Sequence, residues 1–132
     1  KILFVDEAEL NKYPRQAKKF IIGHEIRHII HNDSPTGTAL DHFLERQRAR
    51  ITDDPSHPVN RLNRFIEMRA DMETALHSPE YAQGMIEAMS AFYINYGIGR
   101  GVSHPKTTHR KEVGHSILAA HGKQKQTNEA IA

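Results

Sequence analysis

The chain has 132 residues, 26% of them charged and 38% apolar, the size of one domain that buries roughly two-thirds of its unfolded surface. Its 18 basic residues are nearly balanced by 16 acidic ones, which argues against a dedicated nucleic-acid binder with its concentrated positive charge. It lacks cysteine, which excludes thiolate metal sites and disulfides, and it has no run of 18 or more apolar residues to span a bilayer.

In chain order, Ile2-Leu3-Phe4-Val5 reads as a short strand, followed by a turn region ending near Tyr13-Pro14. Pro14 suits a first helical turn, and the helix it opens is predicted to run to about His31, with Asn32 as C-cap. Phe20, Ile21, Ile22, Ile26, Ile29 and Ile30 wrap nearly all round this segment, which predicts a buried helix. A second helix is expected over Thr38–Arg50, with Leu40, Phe43 and Leu44 facing inward. The run Asp53-Asp54-Pro55-Ser56-His57-Pro58 is a loop by its turn residues.

A third helix is expected from about Asn60, a possible N-cap, to His77, with Leu62, Phe65, Ile66, Ala70 and Leu76 as its apolar stripe. Ser78-Pro79-Glu80 is a helix start. Ala82, Met85, Ile86, Met89, Phe92, Tyr93 and Tyr96 then keep core spacing until Gly97 and Gly99. The last helix is predicted from Pro105 to His121, closed by Gly122, with residues 123–132 as a frayed, flexible tail to a domain covering residues 1–122. The fold class is therefore mainly α (α+β), a helix bundle with a short N-terminal strand or small sheet. No repeat, heptad or phosphate-binding glycine loop is present, and nothing specifies an oligomeric state.

The first long helix carries His24-Glu25-Ile26-Arg27-His28, the H-E-x-x-H pattern of zinc peptidases. Residues four apart share a helix face, so His24 and His28 can offer two imidazoles to one Zn²⁺. Glu25 sits beside the ion without being needed as a ligand, which suits a general base. Two histidines and a carboxylate in a buried segment are costly unless a metal or a network satisfies them.

Such a site needs a third protein ligand, leaving one position open. Glu67 is the best candidate, and Asp71, four residues on, could hold a ligand histidine through its other ring nitrogen. The competing reading of this acidic pair is a solvated face balanced by Arg64 and Arg69. A metzincin would need Gly at position 31 and His at position 34, where this chain has His31 and Ser34. His31 lies two turns beyond His24, a long reach for a shared ion.

Together these residues resemble the HtpX and CAAX-prenyl-protease family of gluzincin metallopeptidases. That family couples H-E-x-x-H to E-x-x-A-D, here Glu67-Met68-Arg69-Ala70-Asp71, and to a Ser-His-Pro segment with an arginine, here Ser103-His104-Pro105 and Arg110. Asp33 after the motif helix adds to the likeness. The resemblance implies His24, His28 and Glu67 as zinc ligands, Glu25 as catalytic acid/base and Asp71 as a supporting residue. It places His104 and Arg110 near the active site, where they would support substrate or oxyanion. A second resemblance is to regulatory zinc peptidases of the ImmA/IrrE type, through Phe20, His24, Glu25, His28 and His31. Those proteins usually show Asn where this chain has Asp71, and they lack the Ser-His-Pro segment.

The expected function is a zinc metalloendopeptidase acting on a protein or peptide substrate, with one Zn²⁺ and His104 as oxyanion donor. The competing expectation is a non-catalytic interaction domain whose structural zinc is closed by His31 or His104. The reading is of a soluble domain, cytoplasmic by default. Because the chain begins at Lys1 without methionine, it is read as a fragment of a longer chain whose other segments could carry an export signal or membrane attachment.

Overall fold

The computed structural model of the protein describes residues 3, 5–33, 54–99 and 101–131. The expected helix Thr38–Arg50 lies outside the described residues, as do Ile2 and Phe4 of the expected strand. Among the described residues the fold is helical and contains no strand. It comprises α1 (Glu7–Leu10), α2 (Arg15–Ile30), α3 (Pro58–His77), α4 (Pro79–Tyr96) and α5 (Thr107–Ile131). No helix is long and apolar enough to cross a membrane among the described residues.

Helix α4 is the hub, packing against α2, α3 and α5, while α3 also meets α2 and α5. Its start follows from sequence: Ser78 Oγ accepts a hydrogen bond from the Tyr81 amide, and Pro79 occupies the first turn. It ends at Gly97, whose φ of 77° is a conformation that glycine adopts without a Cβ clash. Phe20, Met85 and Met89 are fully buried and form the core with Tyr13, Ala17, Ala75, Ala82, Ala88 and Ile117. Burying each large side chain contributes about 1.5–3 kcal/mol before entropy is counted.

Small residues set the helix spacing. A Cβ at Gly84 would collide with the Gln16 carbonyl oxygen of α2, so glycine lets α2 and α4 approach backbone to backbone. At Gly23 a Cβ would lie 2.8 Å from Thr74 Cγ2. That glycine brings α2 against α3 one residue before His24.

Several expectations are corrected. Helix α2 is buried only along Ala17, Phe20 and His24, and Ile26 and Ile30 face out. The reason is that α2 has neighbours on one side, α3 and α4, among the described elements. Helix α3 starts at Pro58, with His57 as N-cap and Asn60 buried inside the first turn. Of its expected stripe only Ala70 is buried: Leu62, Phe65 and Leu76 are each more than half exposed, while Asn60, Ala70, Asp71, Thr74 and Ala75 form the inward face. Asp71 is bonded to His24 and Arg110, and that partnership turns the polar side inward.

Tyr93 and Tyr96, expected in the core, are exposed near the end of α4. The last helix does not stop at Gly122 but continues to Ile131, so residues 123–131 extend the helix where a frayed tail was expected. One glycine costs about 1 kcal/mol in a helix interior. The Lys, Gln, Glu and Ala residues that follow favour helix and offset that cost.

Candidate metal centre

Three side chains from two helices converge. His24 and His28 project from α2, and Glu67 reaches across from α3. His24 Nε2 lies 2.9 Å from His28 Nε2. Glu67 Oε2 is 3.0 Å from His24 Nε2, and Glu67 Oε1 is 3.2 Å from His28 Nε2.

Each histidine ring is held from behind. His24 Nδ1 lies 2.7 Å from Asp71 Oδ1, and Arg110 grips the same carboxylate through Nε at 2.6 Å and Nη2 at 2.8 Å. Asp71 has no exposed surface, and Arg110 is also buried, so each ion compensates the other in a place where neither could stay alone. His28 Nδ1 lies 2.9 Å from Asp33 Oδ2, and Asp33 pairs with Arg69. Both histidines therefore have the same support, a carboxylate on Nδ1 and an arginine behind the carboxylate. With Nδ1–H donated outward, each Nε2 lone pair faces the centre, which is the ligand tautomer.

Asp33 reaches His28 because of how α2 ends. Asn32 adopts φ 53°, the left-handed conformation that asparagine tolerates better than most residues. The Asp33 amide then donates to the His28 carbonyl and the Asn32 amide to the Ile29 carbonyl, closing a Schellman turn. The turn folds the chain back so that the Asp33 side chain meets the ring one helical turn earlier. Asp33 was noted in the sequence only as part of a likeness. Its signal was the Asn-Asp pair just past the end of the motif helix, since asparagine there is a C-terminal marker.

Electrostatics match the geometry. Burial opposes charge on His24, but hydrogen bonds and charge from Asp71 and Glu67 prevail and raise its pKa to about 9. Burial likewise opposes charge on Glu67, and the two histidines hold its carboxyl far below the usual range. His28 is raised by Glu67 and Asp33 against its own burial.

The donor set fits a cation. Two imidazole nitrogens and two carboxylate oxygens, all offering lone pairs when the rings are neutral, face one another within hydrogen-bond distance. Only a shared proton or a metal ion satisfies such a group. Tetrahedral ligands on zinc at about 2.0–2.1 Å stand roughly 3.4 Å apart, a few tenths of an ångström wider than the separations here. His₂Glu is an established catalytic zinc set.

The remaining expected residues separate. Glu25 lines a cleft of about 190 Å³ together with Phe20, His24, Glu67, His104 and Arg110. His104 is 60% exposed, and its Nε2 is 3.8 Å from Glu67 Oε1. Ser103 Oγ lies 3.1 Å from His104 Nδ1; donation from that hydroxyl leaves Nε2–H directed towards the cleft. Arg110 spends its guanidinium on Asp71 and acts by positioning that carboxylate. His31 is turned aside to Glu73, 2.6 Å away. Arg64 donates to the carbonyls of Val102 and Pro55, tying the segment before His104 to the loop before α3.

No family model, curated protein or solved structure matches the chain.

Proposed function

We propose that the protein is a zinc-dependent metalloendopeptidase of the gluzincin kind, with His24, His28 and Glu67 as metal ligands. The observation that carries this reading is the convergence of two Nε2 atoms and one carboxylate beside a cleft that also holds Glu25. A bound zinc ion supplies Lewis acidity, so that a nucleophile is available near neutral pH and the scissile carbonyl is polarised.

The chain's own residues supply the rest. Glu25, which no described hydrogen bond or ion pair engages, takes the proton of the attacking water and passes it to the leaving amine. His104, with Nε2–H facing the cleft, donates to the oxygen on which negative charge develops. Asp71 and Asp33 keep both ligand rings in the lone-pair-inward tautomer throughout. Between the two resemblances, the HtpX-like one is favoured because Asp71 is an acid gripped by Arg110, which follows the Ser-His-Pro segment.

The competing reading, a closed structural site, requires a fourth protein ligand. Among the described residues the converging donor group has three members; His31 is engaged by Glu73, and His104 stands outside the group with its Nε2 3.8 Å from Glu67 Oε1. The test compares wild type with Glu25→Gln. Both should bind one zinc per chain, and only wild type should cleave a denatured protein substrate, losing that activity to a chelator. Equal cleavage by both, or none by zinc-loaded wild type, overturns the proposal.

A further inference from the structure

Beside the cleft lies a second hollow of about 290 Å³. Ile21, Glu25 and Phe92 line both spaces, so the hollow and the cleft are neighbours that share one wall. Its other walls come from Val5, Leu10, Tyr13 and Ile22. Tyr13 and Phe92 meet edge to face, with centroids 5.5 Å apart, and Tyr13 is itself buried in the core. The hollow therefore has a firm aromatic wall.

Its volume is at or below the smallest sites for whole drug-sized ligands, about 300–1,000 Å³, and suits one large side chain. Besides Glu25, two further acids reach it, and both of these are already used. Asp6 accepts the Glu9 amide as the N-cap of α1, and Glu9 pairs with Lys12 at 2.8 Å.

We propose that this hollow is the subsite for a large apolar side chain of the substrate peptide, next to the scissile bond. The proposal rests on the peptidase reading and adds its specificity. Burial of a leucine or phenylalanine there anchors the backbone across Glu25 and the metal ligands. The acids around it disfavour acidic side chains at the same position. Leu10, Ile22 and Phe92 are the specificity-determining residues.

The test has one arm that does not need catalysis. Metal-free protein is titrated with N-acetyl-leucinamide, N-acetyl-alaninamide and N-acetyl-lysinamide while amide resonances are followed by NMR. Leucinamide should shift Leu10, Ile21, Ile22 and Phe92 and bind about tenfold tighter than alaninamide, the scale set by a few methylene groups in an apolar pocket. Leu10→Trp, which fills the hollow, should remove that difference. Val5→Trp at the exposed rim serves the same purpose if Leu10→Trp does not fold. Shifts that miss these residues, or tighter binding of lysinamide, overturn the subsite.

The second arm profiles cleavage of a peptide library by zinc-loaded protein. Wild type should prefer one large apolar residue at a fixed position flanking the cut, and Leu10→Trp should move that preference to alanine or glycine. Cleavage without that preference defeats the subsite and leaves the peptidase reading standing. Leucinamide binding in the hollow without any cleavage defeats the peptidase reading instead.

Discussion

Asp33→Asn isolates the support behind one ligand with little effect on the fold. The Asp33 carboxylate is 2.9 Å from His28 Nδ1 and pairs with Arg69. Asparagine keeps the shape and a hydrogen-bond acceptor but loses the negative charge that makes the His28 Nε2 lone pair more basic. Loss of such an outer partner weakens metal binding by about 10–100-fold, equivalent to about 1.4–2.7 kcal/mol. The Arg69 pair is part-exposed, so its own loss costs at most about 1 kcal/mol, and the metal-free variant should melt within a few degrees of wild type. Zinc affinity is measured by competition with a chromophoric chelator, alongside melting of the metal-free proteins. A variant that binds zinc within twofold of wild type refutes the argument that Asp33 tunes the site.

Three further outcomes follow from the same structure. The metal-free His24 pKa of about 9 exceeds its ordinary value of 6.5, so its charged contacts stabilise the fold fully below about pH 6.5. That contribution is lost as pH rises through about 9; melting of metal-free protein should fall over this window, and uniform melting across it contradicts the pairing. For the same reason zinc binding at pH 7 should release a proton, read by calorimetry as heats that differ between buffers of unlike ionisation enthalpy. Gly84→Ala should destabilise by about 1–3 kcal/mol or more through its collision with Gln16, measured by urea unfolding, whereas Leu62→Gln on the exposed face should change stability by about 0.5 kcal/mol or less.

The grouping of His24, His28 and Glu67 was more legible in the sequence than the packing around them. The four-residue spacing of His24 and His28, and of Glu67 and Asp71, is enough to place each pair on one helix face, because helical periodicity depends only on backbone geometry. The inward face of α3 was not legible. Hydropathy favoured Leu62, Phe65 and Leu76, but the face buried in the protein is the one whose polar groups find partners, with Asp71 between His24 and Arg110 and Thr74 bonded to the Ala70 carbonyl. The role of Asp33 was hidden for a related reason. It depends on a left-handed Asn32 that reverses the chain, a local conformation that spacing arguments for a continuous helix do not contain.

The central claim is that two imidazoles and the Glu67 carboxylate hold one metal ion and leave a position open. X-ray absorption at the zinc edge of the loaded protein measures this directly. The expected spectrum contains two imidazole ligands and oxygen scatterers at about 2.0–2.1 Å, with occupancy lost in Glu67→Ala. A shell of three or more imidazoles, or a spectrum unchanged in Glu67→Ala, would contradict the account.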